Sequence, residues 1–371
     1  MKSDPIRILH VVSIMNMGGI ENFIMNIYRN IDRTNIQFDF LVHHEEKGIF
    51  EDEIEQLGGK IYRIPFVTKV GHFKYIKYLN EFFKNHREYE IVHSHFNTIS
   101  GLILKSAKEN GVKIRIAHSH IAYPKYRFLE NIYKKYAQSF INKVSTQKFA
   151  CSKLAGEWLY GKGSKFEVIN NGVVARKYIY NEEKRQNIRK LLKIEKNDLV
   201  LGHIGRFDEQ KNHKFLIKVF EYLYKKNQNY KLFLVGDGKL RKELEEEVKN
   251  LGLVNNVIFL GIRKDIPDLL QAFDLFVFPS ISEGLPVTLV EAQAASLKCF
   301  ISNSITNEID LGCNLISFID LKISIEEWTK VIVNNEKYER QNLFNIIQKS
   351  GYDIEQNVKD IEKMYLEMFL K

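Results

Sequence analysis

Asp274 to Ala295 reads DLFVFPSISEGLPVTLVEAQAA. Leu275 to Phe278 is a short unbroken apolar run, the pattern of a strand buried on both faces in a parallel sheet. Pro279 to Pro286 is rich in turn formers. Val287 to Ala295 consists of helix formers, with Pro286 beside the first turn, where a missing N–H costs nothing. Strand, loop and helix in this order bring free N–H groups and the positive end of a helix dipole to the top of a sheet, a setting that suits an anion. Two carboxylates frame it: Glu283 in the loop and Glu291 eight residues later in the helix. A carboxylate repels phosphate but accepts hydrogen bonds from the hydroxyls of a ribose or a hexose. Anion-friendly backbone beside two such carboxylates predicts a nucleotide-sugar site.

The same alternation surrounds this stretch. Leu199 to Ile204 predicts a strand that runs into Gly205-Arg206-Phe207-Asp208-Glu209-Gln210-Lys211-Asn212, followed by a helix over His213 to Tyr224. Arg206 at the strand end and Lys211 near the helix start can neutralise a diphosphate together, one as a fork and one as a point charge. Lys231 to Val235 predicts the next strand, ending in Gly236-Asp237-Gly238. Arg241 stands where a dinucleotide fingerprint needs its third glycine, which argues against a dehydrogenase. Val257 to Leu260 is a strand ending at Gly261-Ile262-Arg263, and Cys299 to Ser302 and Leu315 to Phe318 follow as strands. Ile354 to Leu370 has the period of an amphipathic helix.

The N-terminal half repeats the theme. Ile6 to Ile14 predicts a strand, Asn16-Met17-Gly18-Gly19 a loop, and Ile20 to Tyr28 a helix. Strands follow at Phe38 to Val42, Lys60 to Ile64, Glu90 to His93, Ile114 to Ala117, Phe149 to Ala150 and Glu167 to Ile169, with helices at Phe73 to Asn85 and Ile99 to Glu109. Such alternation implies an α/β fold with parallel sheets. Ligands in those sheets bind beyond the strand C-termini. That singles out Gly18, Gly19, His95, His118 and Asn171. His93-Ser94-His95 and His118-Ser119-His120 both end strands, so each pair of imidazoles shares a face. Neither triplet has an acidic or Cys ligand beside it, so no metal is expected.

The chain has 371 residues, enough for two domains. The expected division is 1–175, a linker over 176–198, 199–350, and a returning helix over 351–371. Cys151, Cys299 and Cys313 have no metal spacing and read as reduced buried thiols of a cytoplasmic protein. No apolar run reaches the length of a membrane span. The net charge of +9 is uneven: residues 1–175 hold 25 Lys+Arg against 17 Asp+Glu, and residues 176–371 hold 30 against 29. A basic first half suits an anionic membrane surface or a polyanion. Nucleic acid is not expected, since no helix-turn-helix, zinc-finger or RNP pattern occurs. Residues 122–149 carry Lys125, Arg127, Lys134, Lys135, Lys143 and Lys148 against Glu130 alone, interleaved with Tyr123, Tyr126, Phe128, Tyr133, Tyr136 and Phe140. This composition suits an interfacial helix on anionic lipid and predicts peripheral binding to the inner face of the cell membrane.

Glu283-Gly284-Leu285-Pro286 with Glu291-Ala292 resembles the E-x7-E signature of retaining GT-B glycosyltransferases, and is similar to the family 4 enzymes of bacterial capsule and exopolysaccharide synthesis. Gly205-Arg206 with Lys211 resembles the G-R-x4-K of these enzymes, Gly18-Gly19-Ile20-Glu21 their GG-x-E, and Asn171-Gly172-Val173 the N-G-V segment that closes their first domain. The resemblance implies two Rossmann-like domains facing a central cleft, with the last helix crossing back to the first domain. It implies a UDP-sugar donor, a glycan or lipid-linked acceptor hydroxyl, retention of configuration and no cofactor. His118 would face the donor sugar, with His120 the alternative because the triplet leaves the register open. His95, His120 and Asn171 would line the acceptor side. Gly236, Ile262 and Arg263 would lie along the nucleotide, with Gly284 and Leu285 beside it. Arg206, Lys211, Glu283 and His118 would carry the chemistry. A sugar-nucleotide epimerase on the same fold and a non-catalytic carbohydrate- or nucleotide-binding scaffold are the rival readings. Arg206, Lys211, Glu283 and Glu291 together count against the scaffold.

Overall fold

In the computed structural model, residues 4–121 and 127–370 are described. The chain forms two compact units: Met1–Gly172 with Ile354–Lys371, and Val173–Asp353.

Unit 1 is built on strands β1 (Ile6–Val11), β2 (Ile36–Val42), β3 (Ile61–Arg63), β4 (Ile91–Ser94), β5 (Ile114–Ser119), β6 (Gln147–Ala150) and β7 (Glu167–Val168). They lie in the order β3-β2-β1-β4-β5-β6-β7, and every pairing is parallel. All seven residues of β2 are buried, as expected of a strand covered by helices on both faces. The helix His72–Asn85 shows how the covering works. It buries Tyr75, Leu79, Phe82 and Phe83 at helical spacing, while Phe73, at its start, stays 89 % exposed. The last helix, Ile354–Phe369, packs on the helix Gly19–Asn30 and belongs to unit 1.

Unit 2 has strands β8 (Leu199–Ile204), β9 (Tyr230–Val235), β10 (Val257–Gly261), β11 (Leu275–Phe278), β12 (Lys298–Ser302) and β13 (Ile316–Ile319). Their order is β10-β9-β8-β11-β12-β13, again all parallel. In both sheets the order reverses beside the first strand, between β1 and β4 and between β8 and β11. Loops leave the sheet in opposite directions there and open a crevice.

Residues 176–198, expected to form a linker, are instead part of unit 2. They fold largely as the helices Ala175–Tyr178 and Glu182–Leu191. Their charges, which read as solvated, are spent on backbone. Arg185 donates to the carbonyls of Gln271 and Phe273 and pairs with Asp274. Arg189 bonds the carbonyls of Ala272, Glu195 and Asp198 and also pairs with Asp274. Asp274 completes the knot by accepting from the Val200 N–H. Carbonyls at the end of the helix Ile266–Ala272 are thus satisfied by guanidinium forks rather than water.

Candidate active site

The loops after β8 and β11 meet at the switch point of unit 2. Asp208 starts a turn by accepting from the Lys211 N–H and also receives Arg206 Nε at 2.9 Å. Asn212 takes the left-handed conformation, φ 57°, at the entrance to the helix His213–Lys226. Its side chain donates to the Pro279 carbonyl, while the Ile281 N–H and the Gln210 side chain close the seam between the loops. Lys211 Nζ donates to Glu283 Oε1 at 2.6 Å and sits 4.8 Å from the centre of the Phe278 ring. Ser280 Oγ also reaches Glu283 Oε1. Lys211 and Glu283 are mostly buried, whereas the Arg206 side chain is 77 % exposed. An ammonium has three protons, so Lys211 can hold Glu283 and still donate to an incoming anion. Arg206 is the exposed partner in the same loop, paired with Asp208.

Gly236 lies on the neighbouring strand end. Its φ is +135°, and a Cβ there would sit 2.1 Å from the Gly205 carbonyl oxygen. Only glycine allows the β8 and β9 loops to approach so closely. Past β10, Ile262 is 68 % exposed, and Arg263 is tied to Asp265 by two hydrogen bonds. What the Gly261–Arg263 turn offers a ligand is therefore its backbone and an apolar surface, not a free guanidinium.

Glu291 is half-buried on the helix Val287–Ala294. Tyr178 Oη donates to its Oε1 at 2.7 Å. Burial pushes its carboxyl up from the ordinary 4.5 to about 7, against the hydrogen bond from Tyr178, which favours the ionised form. Leu285 is buried beneath the loop, and Gly284 is half-buried. Ser280, Asp208 and Tyr178 were missed from the sequence. Each acts by touching a residue distant in the chain or around a turn, which no periodicity marks.

In unit 1, Gly18 caps the helix Gly19–Asn30 without a side-chain partner. Asn171 is nearly buried, and its Oδ1 has no hydrogen-bond partner among the described residues. The two H-S-H triplets come together and are joined by His10, which sequence reasoning overlooked. His10, His93, His95 and His118 are all 3 % exposed or less. One chain of contacts runs from Tyr365 Oη to His93 Nδ1 (2.7 Å), then from His93 Nε2 to His118 Nδ1 (3.1 Å). A second runs from His10 Nδ1 to His95 Nε2 (2.9 Å), then from His95 Nδ1 to His120 Nε2 (2.8 Å). Burial disfavours the charged form of every one, with His10 and His120 pushed down to about 3. These are neutral imidazoles.

Residues 17–177 match the family described as Glycosyltransferase Family 4, and residues 184–311 match Glycosyl transferases group 1. The chain is 33 % identical over 374 residues to EpsF of Bacillus subtilis (strain 168), named provisionally as a glycosyltransferase, covering 98 % of this chain and 97 % of that one. It is 27 % identical over 405 residues to the UDP-Gal:alpha-D-GlcNAc-diphosphoundecaprenol alpha-1,3-galactosyltransferase of Escherichia coli, covering 99 % of each. Among solved structures it is similar in fold to Anabaena HepE in complex with UDP, with a TM-score of 0.75 and 20 % identity over 98 % of this chain and 99 % of that one.

Proposed function

This chain belongs to the family 4 glycosyltransferases, and from that premise we propose that it moves a sugar from a UDP-sugar to a hydroxyl of a lipid-linked glycan, with retention. The fold is GT-B, with two Rossmann-like sheets, and the protein is an enzyme. The observation that carries the donor reading is the Lys211–Glu283 pair at the switch point of unit 2, with Arg206 beside it. The departing diphosphate gains the largest charge in the reaction. Lys211, Arg206 and the N-terminus of the helix Val287–Ala294 stabilise it without a metal. A leaving-group oxygen takes the acceptor proton on the face from which it departs, so no carboxylate nucleophile is needed. Glu283 serves in two ways: it fixes the Lys211 ammonium and offers its second oxygen to hexose hydroxyls. Glu291 accepts from the ribose. The names of the E. coli relative and of the UDP complex support a UDP-sugar and a diphosphoundecaprenol-linked acceptor.

The test is UDP release with a lipid-linked acceptor present or absent. Release is expected only with the acceptor, and the new glycosidic bond is expected to keep the donor's anomeric configuration. Release or epimerised donor without an acceptor would assign the chain to the epimerases.

No helix of the described residues is long and apolar enough to cross a membrane. The basic aromatic stretch 122–149 divides in two. Residues 122–126 lie outside the described residues. In the helix Phe128–Val144, Tyr133 and Phe140 pack against the core, and Lys134 is paired with Glu130. Phe128, Leu129, Ile132 and Tyr136 are exposed, by 78, 77, 53 and 45 %, beside the exposed Lys135. Surface contact with anionic lipid therefore falls to these residues rather than to the whole stripe. Flotation with anionic vesicles is expected at low salt and lost at high salt, as exposed attraction is screened within about 8–10 Å. Phe128→Glu with Leu129→Glu should abolish it. Unchanged flotation of that variant, or equal binding to neutral vesicles, would remove the membrane role.

A further inference from the structure

Four buried imidazoles of unit 1, His10, His93, His95 and His118, and the half-buried His120 have no use in the proposed transfer step, and the sheet explains why they converge. His10 and His93 are register partners on β1 and β4, and His93 faces Ile116 on β5. Residues two apart on a strand share a face, so His118 lies on the same side as Ile116 and His93. His95 and His120 follow one step beyond their strand ends. Ring nitrogens of His95, His118 and His120 all lie within 4.8 Å of one another. A metal–nitrogen bond of about 2.0–2.1 Å places tetrahedral ligand atoms roughly 3.3 Å apart, inside the spread seen here.

The hydrogen bonds select which nitrogens are available. Both nitrogens of His93 are engaged, with Tyr365 and His118, so His93 is a supporting residue and not a ligand. His118 is held through Nδ1, and its Nε2 is buried with no hydrogen-bond partner among the described residues. His95 is held through Nε2 by His10, which leaves Nδ1, now on His120 Nε2. One set of tautomers satisfies every contact except that of His95 Nδ1 with His120 Nε2, where two lone pairs 2.8 Å apart need a proton or a metal ion between them. His118 Nδ1–H donates to His93 Nε2, His93 Nδ1–H donates to Tyr365 Oη, and His95 Nε2–H donates to His10 Nδ1. The three lone pairs that remain, His118 Nε2, His95 Nδ1 and His120 Nε2, then face one another. Metal-binding histidines are characteristically supported in this way through the second ring nitrogen.

We infer that His95, His118 and His120 form a site for one divalent transition metal of the zinc class, oriented by His93, His10 and Tyr365. Three neutral imidazoles suit zinc, cobalt or nickel and not magnesium or calcium. They leave a fourth position open, which a water-derived or other anionic oxygen fills. The sequence argued against a metal because each triplet was weighed alone, with two ligands and no third. The parallel register supplies the third. His118, with no exposed atom, serves as a ligand in this arrangement.

The test uses the full-length chain without a histidine tag. Elemental analysis and Co2+ titration of wild-type protein should give one equivalent per chain, with the visible absorption of a four-coordinate cobalt site that zinc displaces. His118→Gln and His120→Gln should lose that equivalent. His93→Leu should weaken it about 10- to 100-fold, and the exposed His44→Ala should leave it unchanged. Less than a tenth of an equivalent bound by folded wild-type protein, or loss of the equivalent in His44→Ala, overturns the site. The wild-type measurement decides the matter even if a core variant fails to fold. Because the readout is metal and not UDP release, its failure leaves the transferase assignment standing.

Discussion

Lys211→Ala is expected to lower donor affinity by about 10- to 150-fold, the loss of one charge-assisted bond of roughly 1.5–3 kcal/mol. It should also destabilise unit 2, because the partner left behind is not at the surface. Glu283 is 10 % exposed in its side chain, and Lys211 bonds it at 2.6 Å. Removing one member of a buried pair typically costs about 3–5 kcal/mol, more than the pair itself contributes. The two effects separate in a second variant. Lys211→Met with Glu283→Gln removes both charges while keeping volume, so thermal unfolding should return close to wild type. UDP binding by calorimetry should stay weak, since the ammonium that meets the diphosphate is still missing. If the double variant binds UDP like wild type, Lys211 is structural and the diphosphate lies elsewhere.

Glu291→Gln is expected to weaken UDP binding by about 10- to 100-fold at pH 8, and much less at pH 5.5, as it removes charged hydrogen bonds of about 1.5–3 kcal/mol. The pH dependence follows from the burial of Glu291, which raises its carboxyl to about 7. Below that value the free protein holds it protonated. Ribose hydroxyls need it ionised, so binding at pH 6 should release a proton, and affinity should rise with pH until about 7 and level off. Heats of binding at pH 6 should therefore differ between buffers of different ionisation enthalpy in wild type and agree in Glu291→Gln. The same group sets a stability slope. Its folded pKa exceeds the unfolded one, so the folded chain keeps a proton that the unfolded chain has released. Its contribution is whole below about 4.5, falls as pH rises to about 7, and is then constant. The span corresponds to about 3 kcal/mol. Glu291→Gln should flatten this slope in thermal unfolding. Buffer-independent heats in wild type, or equal UDP affinity of the two proteins at pH 8, would take Glu291 out of the ribose site.

Local chemistry was written plainly in the sequence. Strand, loop and helix over 274–295 needed only a short apolar run, turn formers and a proline-led helix, and they appear as β11 and the helix Val287–Ala294. The placing of Arg206 and Lys211 beside one strand end was legible, and the structure puts both in the loop after β8, with Lys211 on Glu283. Three things depended on distance in the chain and were decided only by tertiary structure. Charge density made 176–198 look like a solvated linker, but Arg185 and Arg189 find backbone carbonyls more than eighty residues away. Glu291 read as an ordinary carboxylate until the core closed around it and raised its pKa, against the hydrogen bond from Tyr178. The histidines are the sharpest case. A period of two puts both imidazoles of a triplet on one face, and any reader of the sequence can see that. Which strands lie side by side, and in what register, is set by long-range packing of β1, β4 and β5, so two separate pairs and a lone His10 became one cluster of neutral rings only in the folded sheet.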